Sequence, residues 1–324
     1  MTKPYAGPIT DHFDGTRFFV PGHTADKSQL DALKWVLGEK RARWPKRFDS
    51  PHTHKPPERV SGIRSTLIGH ASFLVQIAGL NLLIDPVFNE RASPVSFAGP
   101  KRVNAPGVAF ADLPPIDAVL LTHNHYDHLD KNSLWQIAER FKPQFVGPLG
   151  VDCNVLRAGK LPGNMISLDW GQQTTFGNFS IHAVPTYHWS ARSLGDRRKT
   201  LWCSFVITSP VGTIYHIGDT GYGAGEFSKK VAQDFGRIDL AHIPIGAYEP
   251  RWFMKDHHVN PGEAVQIFQD CNASKAIGHH WGTFQLTNEA HDQPPKDLAL
   301  AMSAAQLPEG RFQAFRPGQA IEIG

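Results

Sequence analysis

Apolar runs of strand length recur along most of this chain, separated by turn residues and by segments with helical spacing. Residues 66–77 and 80–85 read as strands joined by a tight turn at Ala78-Gly79, and Asp85-Pro86 ends the second. Residues 116–122 (IDAVLLT), preceded by Pro114-Pro115, form another apolar run. Behind it Leu134, Ile137, Ala138 and Phe141 recur at helical spacing, with Asp130 as candidate N-cap and Pro143 as terminator. Short strands are predicted at 144–146 and 180–184, and residues 201–208 pair with 213–218 across Ser209-Pro210-Val211-Gly212. Further strands follow at 238–245 and 274–278. Between them Asn260-Pro261-Gly262-Glu263 starts a helix, with an N-cap, proline at N1 and Glu at N3. A helix over 295–306 and two short strands around Arg316-Pro317-Gly318 complete the chain.

Strands followed by a helix therefore occur twice, which predicts an α/β protein with a two-sheet core and helices outside. Residues 1–60 differ in composition, being rich in Pro, Gly, His and Arg. Their one predicted helix, 27–38, carries Leu30, Leu33, Lys34 and Leu37 along one face. We read 1–60 as an N-terminal extension packed on the core and 61–324 as one domain.

Composition narrows the class. Of 324 residues, 41% are hydrophobic and 19% charged, as in ordinary globular proteins. A net charge of +3 and a pI near 8.7 do not by themselves call for nucleic acid as a partner. Cys153, Cys203 and Cys271 are far apart, which fits a reducing compartment without a disulfide framework. The N-terminus lacks a signal-peptide core, and no apolar run approaches the ~18 residues of a membrane span. The expectation is a cytoplasmic protein, at most peripheral on the inner membrane face. Residues 34–47 hold six basic residues and one acid, Glu39, with Trp35 and Trp44 among them. This stretch reads either as a headgroup-binding surface or as a solvated helix end with its tryptophans packed on the body.

The chemistry concentrates in residues 121–130, LTHNHYDHLD. His123, His125, Asp127 and His128 form an H-x-H-x-D-H pattern, and imidazole with carboxylate suits zinc, or manganese or iron. In extended backbone His123 and His125 point to the same side, and the chain must turn to aim Asp127 and His128 inward. A strand that becomes a loop can so present two imidazoles to one ion and an Asp-His pair to a second. Four ligands are too few for two ions, so others must come from farther along. Asp85, at a strand end, can orient a ligand imidazole or simply cap a turn before proline. His70, inside the first run, is either a core histidine or part of the cleft.

The motif resembles the metallo-β-lactamase superfamily, and the resemblance implies a four-layer αββα sandwich with a hydrolytic metal site at its edge. The superfamily pattern supplies three further ligands, and His188, Asp219 (in GDTG) and His280 each sit at the end of a predicted strand. The implied assignment puts His123, His125 and His188 on one zinc ion and Asp127, His128 and His280 on the other. Asp219 bridges the two, and room remains for a bridging hydroxide. Asp127 and Asp219 thereby also count as catalytic, whereas His279 points the other way. GDTGYG, IPIGAYEPRWFMKDHHVNP, HHWGTF, RASPVSFAGPKR and LPPIDAVLLTHNHYDHLD resemble the N-acyl-phosphatidylethanolamine-hydrolysing phospholipase D family, from about residue 64 to residue 295. That resemblance implies hydrolysis of such phospholipids to phosphatidic acid and an N-acylethanolamine. It marks His258 as substrate-facing, where a plain loop histidine is the alternative. The implied partners are a phospholipid or other phosphodiester, a membrane surface and a second copy of the chain as a homodimer. Competing readings are a sugar-phosphate lactonase, which wants a small polar pocket, a nuclease, which wants a basic groove, and a metal-binding scaffold.

Overall fold

The computed structural model describes residues 3–23, 27–53, 55–156 and 165–323. Its strands are β1 (Ile63–Gly69), β2 (Ser72–Ile77), β3 (Leu80–Ile84), β4 (Ala118–Leu120), β5 (Gln144–Pro148), β6 (Met165–Leu168), β7 (Gln173–Phe176), β8 (Phe179–Val184), β9 (Ser204–Ser209), β10 (Gly212–His216), β11 (Ile238–Pro244), β12 (Ala273–His279), β13 (Phe312–Ala314) and β14 (Ala320–Ile323). The helices are α1 (Gln29–Gly38), α2 (Lys131–Phe141), α3 (Asp152–Leu156), α4 (Glu226–Phe235), α5 (Arg251–Met254), α6 (Pro261–Asp270) and α7 (Gln293–Ala304). They form two mixed sheets, in the orders β14-β1-β2-β3-β4-β5-β6 and β13-β12-β11-β10-β9-β8-β7.

Strand alternation builds the layers. In β2 and β3, Phe73, Val75, Leu82 and Ile84 meet Phe205, Ile207, Leu240 and Ile277 between the sheets. Their neighbours Leu74 and Leu83 point outward and pack under Leu134, Ile137 and Ala138 of α2. On the far side Val231 of α4, Val265 and Phe268 of α6, and Leu298 and Met302 of α7 cover Ala241 and Ile243 of β11. The result is helix, sheet, sheet, helix. Burying one such side chain contributes ~1.5–3 kcal/mol, so the layers hold because many do so together.

Local signals act as the sequence predicts. Asp130 caps α2 by accepting from the Asn132 amide, and Asn260 and Glu263 form a reciprocal capping box on α6. One reading needs correction: residues 66–77 are not one strand. The chain reverses at His70-Ala71, so β1 and β2 are antiparallel partners, and His70 sits at the reversal with φ 53°.

The described part of the first 60 residues packs on the core at several places. Phe13, Phe18 and Val20 are buried with Tyr187, Leu201 and Trp202. Farther along, α1 contacts α5, and Trp35 stacks on Phe253 at 5.0 Å. Leu30, Leu33 and Leu37 of α1 face solvent, 77%, 52% and 76% exposed. Among the described residues no helix is long and apolar enough to cross a membrane.

Candidate metal centre

The site forms where strands of both sheets end at one edge. Parallel pairing aligns β3 with β4, and β10 with β11 and β12. Asp85 follows β3, the histidine-rich loop follows β4, His188 follows β8, Asp219 follows β10 and His280 follows β12. Between β4 and α2 the chain turns through Leu129 N–H to His125 C=O at 2.8 Å, which brings Asp127 and His128 inward. Gly218 has φ 70°, and a Cβ there would lie 3.0 Å from the Thr122 side chain. Glycine is therefore required where the second sheet's loop closes onto the first's. His280 has φ 65°, which turns its ring into the site. The ring of His279 packs at 5.5 Å from those of Phe73 and His216, away from it.

Two groups of donor atoms result. In the first, His125 Nδ1 lies 2.9 Å from His123 Nε2 and 3.2 Å from His188 Nε2. In the second, Asp127 Oδ2 lies 3.3 Å from His280 Nε2 and 3.7 Å from His128 Nε2. Asp219 Oδ2 joins both, at 3.1 Å from His280, 3.2 Å from His128, 3.7 Å from His188 and 4.0 Å from His123. Donors around a tetrahedral ion with bonds of 2.0–2.1 Å stand about 3.3 Å apart, so these spacings fit metal coordination. His128 Nε2, His280 Nε2 and Asp219 Oδ1 are buried without a protein hydrogen-bond partner. Buried polar atoms are normally paired, so His128 Nε2 and His280 Nε2, both within 3.7 Å of the Asp127 and Asp219 carboxylates, suit a shared ion. The cluster can bind metal.

Electrostatics agrees. Burial holds His123 and His188 well below the usual imidazole range and His125 down to about 4, leaving neutral rings of the kind metals take. Burial opposes ionisation of Asp127 and Asp219, but the imidazoles of His128 and His280 among others outweigh it and keep both carboxylates ionised. Those carboxylates in turn outweigh burial at His128 and His280, raising both, His280 to about 9.

A supporting layer holds the donors. Asp85 Oδ2 accepts His128 Nδ1–H at 2.7 Å, and Asp85 also accepts the Thr122 amide at 2.8 Å and hydroxyl at 2.5 Å. Asp85 thus touches a ring of the cluster as well as ending its strand, with φ 43°. His188 Nδ1–H donates to the His257 carbonyl at 3.2 Å. Two groups at the site were not assigned from sequence. His257 enters by its backbone, which no motif reveals, and His70, left open above, places Nε2 3.1 Å from Asp127 Oδ2. Left-handed backbone costs on the order of 1–3 kcal/mol per non-glycine residue, and Asp85, His70 and His280 all carry it here.

Above the cluster stands a cleft of about 340 Å³. Its walls are Trp35, Tyr126, Trp189, Phe253, Met254 and Leu286, with Lys27 and Arg197 also lining it. His125, Asp127, Asp219 and His258 reach it from below. His258 Nδ1 is 4.0 Å from Asp219 Oδ2, and burial pushes its pKa down to about 4, so the ring is neutral.

Comparison with known proteins places this geometry. A model described as "Beta-lactamase superfamily domain" matches residues 80–281. N-acyl-phosphatidylethanolamine-hydrolyzing phospholipase D 1 of Caenorhabditis elegans is 39% identical over 81% of this chain and 76% of its own. The mitochondrial N-acyl-phosphatidylethanolamine-hydrolyzing phospholipase D of Saccharomyces cerevisiae is 35% identical over 74% of this chain and 51% of its own. Among solved structures, an isothiocyanate hydrolase from Delia radicum gut bacteria superposes with a TM-score of 0.63 at 22% identity, over 80% of this chain and 99% of that one, and speaks to the fold. The chain is therefore a hydrolase of the metallo-β-lactamase superfamily, in the family of the N-acyl-phosphatidylethanolamine-hydrolysing phospholipases D.

Proposed function

We propose that the protein is a zinc-dependent phosphodiesterase that cleaves N-acyl-phosphatidylethanolamine-type phospholipids. One observation carries the reading: an apolar-walled cleft stands directly over the His/Asp cluster. Aromatic and aliphatic walls suit acyl chains, and Lys27 and Arg197 suit the phosphodiester charge. A lactonase's small polar pocket or a nuclease's basic groove fits these walls poorly.

Two zinc ions would be held, one by His123, His125 and His188, the other by Asp127, His128 and His280, with Asp219 shared. When bound, such ions polarise a phosphoryl oxygen and lower the pKa of water. Asp127 and Asp219 fix the positions of the donors around the reacting phosphate. Asp85 holds the His128 ring with Nε2 inward by keeping its proton on Nδ1. The neutral His258 faces the substrate and offers a hydrogen bond to an oxygen of the phosphodiester. In the net reaction water oxygen bonds to phosphorus and the bond from phosphorus to the ethanolamine oxygen breaks. That oxygen leaves with a proton as N-acylethanolamine, and phosphatidic acid remains.

Such a substrate sits in a bilayer, and the exposed apolar residues support peripheral contact there. Segments that line the cleft also carry exposed hydrophobics: Leu30, Leu33 and Leu37 on α1, Val95 and Phe97 beyond Ala92, Leu194 between Trp189 and Arg197, and Trp252 on α5. The tryptophans of residues 34–47 do not supply this contact. Trp35 Nε1–H donates to Asn288 and Trp44 Nε1–H to the Glu289 carbonyl, so both are held by the body.

The test is an assay of zinc-loaded protein against N-acyl-phosphatidylethanolamine, bis-p-nitrophenyl phosphate and sugar-phosphate lactones. Release of N-acylethanolamine in preference to the others is expected. Lactone turnover alone, or cleavage of the soluble diester alone, would replace this reading by a hydrolase of a small soluble substrate.

A further inference from the structure

Among the described residues, His70 is the one fully buried imidazole at the centre that the implied seven-residue ligand set leaves out. It touches two members of that set at once. Its Nε2 lies 3.1 Å from Asp127 Oδ2, its ring centroid 4.1 Å from that of His280, and its carbonyl accepts the His280 amide at 2.9 Å. Thr283 Oγ1 accepts the His70 amide at 3.1 Å, and Phe284 packs at 5.2 Å, so the residue has little freedom. The turn that carries it is left-handed at φ 53°, a conformation in which His, Asn and Asp are enriched among non-glycine residues.

From this geometry we infer that His70 is a positioning residue for the Asp127–His280 half of the centre: its Nε2–H holds Asp127 Oδ2 on the ion, and its backbone holds His280. The inference rests on the reading that this half binds zinc. Asp127 Oδ2 has two lone pairs, one for the ion and one for the His70 proton. The proton must sit on Nε2, because a bare lone pair there would face a carboxylate. His70 Nδ1 has no protein partner, which fits a lone pair turned away from the site. The His70 ring nitrogen also lies within 4.8 Å of donor atoms of Asp127, His128 and His280, but Asp219 Oδ2, 3.2 Å from His128 Nε2 and 3.1 Å from His280 Nε2, takes the fourth place in the seven-residue set and leaves the His70 N–H to the Asp127 carboxylate.

The test uses two substitutions. Asn tolerates the left-handed turn, but its short amide cannot reach Asp127; Gln carries a donor out to the position of Nε2. Zinc affinities at both positions are measured by competition with a chromophoric chelator, and the cobalt-substituted protein reports the donor set by absorption. Thermal melts of the metal-free variants report folding. His70→Asn should weaken one of the two zinc sites by about 10- to 100-fold and leave the other unchanged. His70→Gln should recover most of that loss with an unaltered cobalt spectrum. Wild-type affinity at both sites in His70→Asn would overturn the inference. Equal metal loss in both variants with a changed cobalt spectrum would overturn it as well, making His70 a ligand. Failure of wild type to take a second ion would refute the two-zinc reading itself, and the wild-type titration shows that separately.

Discussion

The exposed leucines of α1 give a measurable expectation. Leu30, Leu33 and Leu37 are 77%, 52% and 76% exposed, so together they offer about two leucine side chains of free apolar surface. Full burial of a leucine is favourable by ~1.5–3 kcal/mol, so insertion of this face into a bilayer is favourable by roughly 3–6 kcal/mol at most. Even the lower end is on the order of 100-fold in partitioning. The exposed cations Lys40, Arg41, Arg43 and Lys46 add ~1 kcal/mol each near an anionic surface, while Arg47 adds less because it pairs with Asp49. The perturbation is Leu30, Leu33 and Leu37 all changed to Gln, which removes the apolar face with little loss of helix propensity. Sedimentation with phosphatidylglycerol-containing vesicles at low and high salt is the assay. The triple variant should lose most salt-resistant binding, and changing the five basic residues to Ser should lose the salt-sensitive part. Turnover of soluble bis-p-nitrophenyl phosphate should stay at wild-type level in both. Vesicle binding unchanged in the leucine variant would refute the reasoning, since it would put the contact elsewhere.

Three further outcomes are expected. Purified protein should carry close to two divalent ions, mainly zinc, by elemental analysis, and at free zinc ~1,000 times the Kd chelation should lower stability by ~4 kcal/mol; a protein that takes up no transition metal after reconstitution contradicts the centre. Asp219→Ala should nearly abolish hydrolysis and lose metal, whereas His279→Ala should keep its metal and cost about 1–3 kcal/mol of stability as a core truncation; equal metal loss in both would show the wrong member of the pair was chosen. His258→Ala should lower kcat without changing metal content, and a parallel fall in metal would make it a ligand.

Much of the fold was legible because its signals are local. The α2 cap, the α6 capping box and the β9–β10 hairpin each depend on residues a few positions apart. The missed elements lack that contrast. β7 reads QTTF, with alternate residues exposed and little apolar character, and α4 carries Val231 as its main core contact. Residues 66–77 misled because both strands are buried on both faces, so no alternation of apolar and polar positions marks the reversal at His70. The leucines of α1 show a different limit. Helical spacing reveals that a face is apolar but not what it meets. At the centre the H-x-H-x-D-H loop declares itself, while the bonds that hold it join Asp85 to His128 and His70 to Asp127, pairs 43 and 57 residues apart that no local pattern connects.

The division of the donors between sheets explains why these long-range bonds matter. His123, His125, Asp127 and His128 come from the first sheet, with Asp85 and His70 behind them, and His188, Asp219 and His280 come from the second. Apolar packing between the sheets fixes their separation but not the aim of each ring. That aim is set at the sheet edge by buried hydrogen bonds and by left-handed turns at Asp85, His70 and His280, where the backbone is least favourable. Two buried carboxylates among imidazoles also require positive charge nearby, from protons on His128 and His280 or from ions in their place. An ion bound there would tie both sheets to one point, so metal affinity and closure of the sandwich are coupled through the same side chains.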